Sequence, residues 1–586
     1  MRDRWLIAGG GAVALLLAGV LAYVVIFPHW AAAAIGDLAR QQLGRSFEAG
    51  GSHLDFSPLA IRIDYPKLSG GGNSGDSFIS AKSLVVPVRF GQLISREVDY
   101  SAFTLEDAEI ALLIDERGEA SWAFEGPGTA MPARVTLERA SIRYFDARNG
   151  QSLSVGPVSG LLDLRADGGF AFTGAAVINS RVVRVDADLK SLARINAGGS
   201  PLDFALSTDL GTASFSGRLA TGPALSLAGP VSLSGTLSTD LLRFVGLPHG
   251  RLEGSAPFTI EAALDSAGRA YALRQAVLTL GQFRAAGDVT ADLRGERPKL
   301  QAAFRSNDLR LDSLIPSAAA APGEWGRQPV SFEIFNAFDA ELAVLAKTIS
   351  YQGIAAGNGQ LALSLKDGNL STSGIAQPAG GGALRFAFDA TAVTLPPRVS
   401  LSLTAENVTA QPLLAGLTGL GGLTGTGSFS ADLSAEGQTQ EEMIGTLKGA
   451  AKLSLADGAI ANSDLAALMT AVREKILDGW PAATGATAFK TLTGEVAVAD
   501  GEASIKSLAM VTPDMDVSVT GAVDLLRRAM DIAIVAFKGS EPVLPVPVVV
   551  KGFWDKPRIF PDVQDILKDP AGGFARLKQL SPSAGN

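Results

Sequence analysis

From about Leu54 onward the chain alternates apolar and small polar residues with a period of two. Ile61-Arg62-Ile63-Asp64-Tyr65, Leu225-Ser226-Leu227, Leu361-Ala362-Leu363-Ser364-Leu365, Leu401-Ser402-Leu403 and Val517-Ser518-Val519 are examples. This period puts the apolar side chains on one face of a strand and the intervening Ser, Thr, Ala or Asp on the other. Turn signals separate the runs, among them Asp167-Gly168-Gly169, Asp367-Gly368-Asn369, Asp457-Gly458 and Asp500-Gly501. Together they predict an antiparallel meander sustained to near the C-terminus.

Helical spacing is confined to three stretches. Ser463–Gly479 places Leu465, Leu468, Met469, Val472 and Ile476 at helical intervals, and Ala31–Phe47 and the region around Val563–Leu580 are the others. Three short helices cannot cover the apolar face of so many strands. The meander must then close on itself as sandwiches or barrels, or curl lengthwise into an open trough with an apolar floor. About thirty strands at ~4.8 Å would give a trough on the order of 140 Å long.

Composition favours the trough. Hydrophobic residues make up 47% and charged residues 19%, with 27 Phe against 6 Trp and 6 Tyr, more apolar surface than an ordinary core requires. The expected fold is mainly β: an elongated, curled antiparallel β-sheet forming a hydrophobic groove, with an N-terminal transmembrane helix and a few short helices. Candidate groove-lining residues are Leu401, Leu403, Leu453 and Leu455, then Val496, Val498, Val517 and Val519. Ile532, Ile534, Val546 and Val548 complete the set.

Trp5–Phe27 is an uncharged run of 23 residues. As a helix it reaches roughly 35 Å, enough to cross a bilayer core with some tilt. Its anchor residues are Trp5, Leu15, Leu16, Leu17, Val24, Val25, Ile26 and Phe27. Arg2 and Arg4 precede it and the next charge is Asp37, so the positive-inside rule leaves the N-terminus cytoplasmic. A cleaved signal peptide is the rival, given Ala31–Ala34, but this apolar run exceeds the usual core of about 7–15 residues.

Glu125–Arg134, Pro316–Gln328 and Gly416–Gly427 interrupt the alternation and read as bends or linkers. The chain accordingly divides into an anchor (1–28) and an N-terminal β-rich region with a short amphipathic helix (29–130). A central repetitive β-groove (131–407) and a C-terminal region holding helix 463–479 (408–586) follow.

Chemistry-bearing motifs are missing. There is no Cys, no Gly-Lys dipeptide for a phosphate-binding loop and no GxSxG elbow, while His29, His53 and His249 are isolated from one another. The expectation is a protein that is not an enzyme, with no cofactor or metal. A net charge of −9 argues against a nucleic-acid surface. Lys551, Lys556 and Arg558 read as a solvated strand end, with contact to anionic lipid headgroups as the lesser alternative.

The order of features resembles the AsmA family of bacterial envelope proteins, with its TamB-like members. An anchor leads into a β-rich segment, in which Phe103–Phe124 (FTLEDAEIALLIDERGEASWAF) looks like the family's strand–Gly–Trp pattern. Tyr271–Pro316 is similar to its recurring strand pair with a central Gly and an L-x-L-x-x-L-x-P close. Ile444–Leu468 resembles its strand–Asp-Gly–helix entry, Phe489–Ile534 its apolar-x-x-Gly pairs, and Val546–Pro557 (VPVVVKGFWDKP) its closing strand.

The resemblance implies a single-pass inner-membrane protein with the bulk of the chain in the periplasm. It also implies that the groove binds and conducts phospholipids between inner and outer membranes, supporting outer-membrane lipid homeostasis. The implied partners are phospholipids, the inner membrane through the N-terminal helix and, at the other end, the outer membrane or a protein on its side. The alternative is a periplasmic scaffold assisting outer-membrane protein assembly, in which sheet edges rather than the apolar face matter.

Overall fold

The computed structural model describes residues 2–561 apart from 72–76, 96–98, 123–132, 166–167, 196, 223, 246–254, 314–324, 331, 419–420, 462–463, 465–466, 468–484, 540, 544–547 and 555, together with 568–569. Side chains are described from residue 23 onward, except at 93, 333–334, 417–418, 541–542 and 561. The chain forms two compact units, residues 1–245 with 255–276, and residues 246–254 with 277–586.

In the first unit one helix, Arg2–Leu43, runs through Pro28 without a break. Gly44 ends it at φ 67, a conformation that glycine adopts at no steric cost, and its N–H bonds the Arg40 carbonyl at 3.1 Å. Residue 28 is therefore not a helix boundary, and Phe47 opens a strand instead of closing a helix. Phe27, expected among the membrane-facing residues, is 3% exposed and packs with Ala31, Ile61, Ile63 and Val86. Its ring stacks between Tyr23 and Trp30 at 5.4 and 5.9 Å. Val24 is half-buried and Val25 and Ile26 are exposed. The side chains of Trp5, Leu15, Leu16 and Leu17 lie outside the described residues, among which no helix is long and apolar enough to cross a membrane.

Short strands cradle the end of this helix, and a meander follows from Arg134 to Ala267. Neighbours in it are antiparallel, while Ala102–Glu106 and Glu109–Ile114 both run parallel to the strand Arg134–Asp146. On the polar side of the short strands Arg62 bonds Asp55 at 2.8 Å, Glu106 at 2.7 Å and Ser83 at 2.9 Å, fixing four strands together.

The second unit is again a meander, with one exception. Strands Lys299–Arg310 and Asp339–Tyr351 pair in parallel, so the connection must return to the opposite strand end. On that return the Trp325 indole donates to the carbonyls of Leu525 and Leu526 at 3.0 and 3.1 Å. At its start, Asp312 accepts from the Gln352 N–H at 2.9 Å. The chain from Ser313 to Trp325 reaches at most about 43 Å. Laid flat, the ladder from the Asp339 strand to the Ala529 strand, plus a strand length, would separate those ends by about 60 Å. The sheet of this unit is therefore curled.

The turns predicted at Asp367-Gly368 and Asp500-Gly501 are present, with φ of 50 and 78, and 49 and 74. Two consecutive positive φ values match the twist of the flanking strands. Asp457-Gly458 is not a turn: it lies inside the strand Lys448–Ala461, where Asp457 (φ 48) is skipped in the pairing. On its other side the register slips by one residue between Thr426↔Ala456 and Leu423↔Ile460, a bulge at this strand end.

A helix the alternation did not predict, Ala410–Thr418, starts with Pro412 in its first turn and includes Gly416, so the Gly416–Gly427 stretch is only in part a bend. The predicted helix Ser463–Gly479 lies mostly outside the described residues. So do the helix around Val563–Leu580 and most of Glu125–Arg134.

Candidate functional site

Direct partners in a β-ladder point their side chains to the same face. In the second unit Leu403 pairs with Phe386 and Ala431, Ala431 with Ala451, Ala451 with Val496, and Val496 with Ile505. One row along, Leu401 pairs with Phe388 and Leu433, and Leu433 with Gly449, the partner of Val498. Leu453 pairs with Phe429, and Leu455 connects through Leu492 and Met510 to Val517. Val519 pairs with Ile534 and Ile534 with Val548, while Ile532 pairs with Val550. All the described candidates thus share one face; Val546 lies outside the described residues.

The opposite face reads Thr404, Ser430, Lys452, Glu495 and Ser507 along one row of partners. Its charges are matched across strands, Lys452 with Glu495 at 3.3 Å and Arg385 with Glu406 at 3.2 Å.

The first unit has the same two-faced construction, in residues that sequence reasoning did not single out. Leu162, Phe172, Ala187, Phe204, Phe215, Val231 and Ala262 are successive direct partners across seven strands. On the other face Asp188, Asp203 and Ser216 form a polar row that ends at Ala171. Both Nη atoms of Arg165 lie 2.7 Å from the Asp188 carboxylate, and they hold its pKa down at about 2.

Burial separates open from sealed stretches of the apolar face. Along Ala256–Ala267, Phe258, Ile260, Ala262 and Leu264 are each half-buried while their neighbours are exposed. An opposing layer would have buried them fully. In the second unit Leu401 is 38% exposed, and Leu403, Leu453, Val496, Val519, Ile532 and Ile534 are half-buried. Leu455, Val498, Val517 and Val548 are buried instead. Leu455, Val517 and Val548 pack with Phe489, Leu492 and Met510, and with Ala410 and Leu414 of the helix Ala410–Thr418. These buried positions are filled by protein and offer no surface to a guest.

Phenylalanine rings level this face. The Phe386 ring occupies the place that a Cβ at Gly374, its cross-strand partner, would take. Phe172 does the same over Gly160 and Gly174, Phe215 over Gly217, and Phe489 over Gly458. A ring lying over a bare neighbouring backbone covers two positions with one apolar plane.

Among the described residues no cluster of His, Cys, Asp or Glu could hold a metal ion. His53 sits between Asp55 and Asp64 at 3.5 and 3.3 Å, His29 bonds the Val25 carbonyl at 2.9 Å, and His249 lies outside the described residues. What the arrangement offers is a partly open aliphatic and aromatic surface, suited to an aliphatic chain.

These features define a class: β-meanders with one apolar and one polar face, the apolar one left partly open. The AsmA family model matches residues 286–508, and this match supports assigning the chain to the AsmA family. It includes most of the Tyr271–Pro316 segment and all of Ile444–Leu468, and it ends within Phe489–Ile534. No curated protein and no solved structure matches the chain.

Proposed function

We propose that this protein binds the acyl chains of phospholipids on its apolar face and conducts them between the inner and outer membranes, supporting outer-membrane lipid balance. In this reading the N-terminal helix anchors the chain in the inner membrane and the β-meanders lie in the periplasm. One observation carries the proposal: apolar side chains of neighbouring strands share a face that is half-buried, with no opposing layer over it among the described residues. Acyl chains gain about 0.8 kcal/mol per buried CH₂ on such a surface, while headgroups stay in water. The face itself supplies no energy source, so direction comes from outside it. The match of residues 286–508 to the AsmA family model supports the same reading. Native mass spectrometry of the detergent-extracted full chain tests it: bound phospholipid is expected, and a lipid-free protein that takes up none from vesicles overturns it.

A further inference from the structure

The polar face of the second unit carries a feature that the lipid reading does not use. A hollow of about 640 Å³ is lined by Arg284, Arg305 and Lys347, together with Gln282, Asn307 and Asn358. The cations stand far apart in sequence and meet through the register. Ala285 pairs with Ser306, Ser306 with Ala346, and Ala346 with Gly359. Arg284, Asn307, Lys347 and Asn358 therefore fall in the adjacent row across four strands. Arg305 stands two residues from Asn307 and pairs with Ala286 and Leu345. Ala285, Ser306 and Ala346 are buried on the apolar side, so this row projects to the opposite face.

Two properties set the hollow apart. Its shape comes from a bulge: the pairing of strand Ile354–Lys366 slips between Gly357 and Gln360, with Asn358 at φ 50. Bulges bend a strand locally and re-aim its side chains. Its charge is unmatched. Elsewhere on polar surfaces of this unit Arg385, Arg398, Lys452 and Lys551 pair with acids at 2.6–3.3 Å. Arg284, Arg305 and Lys347 make no ion pair among the described residues. The acid in the lining, Asp308, is already bonded by Arg310 at 2.8 Å and Thr348 at 3.0 Å.

We infer that this hollow binds a phosphate group. Two guanidinium forks present paired N–H donors to phosphate oxygens, Lys347 adds a point charge, and the Asn and Gln amides add neutral donors. Strand spacing keeps Arg284 and Lys347 about 10 Å apart at the backbone, within reach of one ligand for side chains of this length. The ligand is distinct from the lipid of the proposed transport role, whose acyl chains would lie on the other side of the sheet.

The test compares the full chain with R284Q/R305Q/K347Q, and with K452Q as a control that removes a paired cation from the same face. Circular dichroism melting checks that all three are folded, as expected for changes at exposed side chains. In one arm inorganic phosphate is titrated and followed by ³¹P NMR at low salt. In the other, vesicles of phosphatidylglycerol or of phosphatidylcholine are floated with equal protein, so that any attachment through the N-terminal helix is common to all. Binding by wild type and K452Q, lost in the triple variant and weakened about two- to fivefold by each single change, supports the site. Loss in the phosphate arm alone identifies a free phosphate, and loss in the phosphatidylglycerol arm alone a headgroup. Wild type and triple variant behaving alike in both arms overturns the inference.

Discussion

Leu403→Asp is the sharpest perturbation of the apolar face. Leu403 is half-buried between Phe386 and Ala431, so its replacement forfeits about half of a leucine's burial, or about 1 kcal/mol of stability. A domain with ordinary stability survives that. An acyl chain crossing the position loses one or two CH₂ contacts worth about 0.8 kcal/mol each and must also dehydrate a carboxylate. A combined penalty of about 2–4 kcal/mol lowers local occupancy roughly thirty- to several-hundred-fold. The readout must be local, because lipid can remain elsewhere on the face. A photoreactive residue at Leu433, the partner of Leu401, reports lipid crosslinking beside Leu403. Thr404→Asp is the control: one residue along the same strand, on the polar face, in the row of Arg385. Strong loss of crosslinking in Leu403→Asp with retention in Thr404→Asp is expected. Equal crosslinking in both variants, or equal loss in both, refutes the assignment of faces to roles.

Three further outcomes follow from the packing and the charges. Leu455→Ala opens a cavity in the sealed cluster and costs about 2–5 kcal/mol, seen as a lower denaturation midpoint, while crosslinking at Leu433 persists. Asp188 is held at about 2 by Arg165, below the ordinary 3.8. A depressed carboxylate pKa adds stability that is complete above about 4 and lost as pH falls toward about 2. Arg165→Gln should therefore lower stability at neutral pH and flatten its decline across that acid window in a pH series of urea melts. Gly374→Val drives a side chain into the Phe386 ring and costs about 1–3 kcal/mol. Adding Phe386→Ala should recover part of the loss, and strict additivity in that double-mutant cycle would contradict the stacked geometry.

The two-faced meander was legible because the side-chain period of two survives any uncertainty about strand ends. Local alternation put Leu401 with Leu403, and Val496 with Val498, on one face of their own strands; that these faces coincide across strands comes from the pairing register. Which of them are open was not legible. Leu455, Val517 and Val548 are buried by the helix Ala410–Thr418 and by packing at one strand end. That helix had a faint signal, Pro412 followed by Leu413 and Leu414, that strand alternation on both sides obscured. The Thr439 cap of helix Gln440–Gly445 was readable as Thr-x-x-Glu, with Glu442 returning a bond to the Gln438 N–H at 2.7 Å. Asp457-Gly458 shows the limit of turn signals, since the same dipeptide serves a bulge when both flanks continue the strand. Phe27 sits in an apolar run whose composition cannot distinguish a lipid-facing ring from one packed on Ile61. The basic hollow was out of reach, because Arg284, Arg305 and Lys347 meet only through pairings that include a parallel crossover.

The rings laid over Gly374, Gly160 and Gly217 bear on selectivity. By filling the gaps that bare backbone would leave, they remove the dimples into which one particular methyl branch or double bond could lock. A hydrocarbon resting across several strands at once averages out what corrugation remains. In the proposed role such a floor would grade its passengers poorly by tail length or unsaturation. Any discrimination would then fall to groups at the rim, where water and polar heads meet.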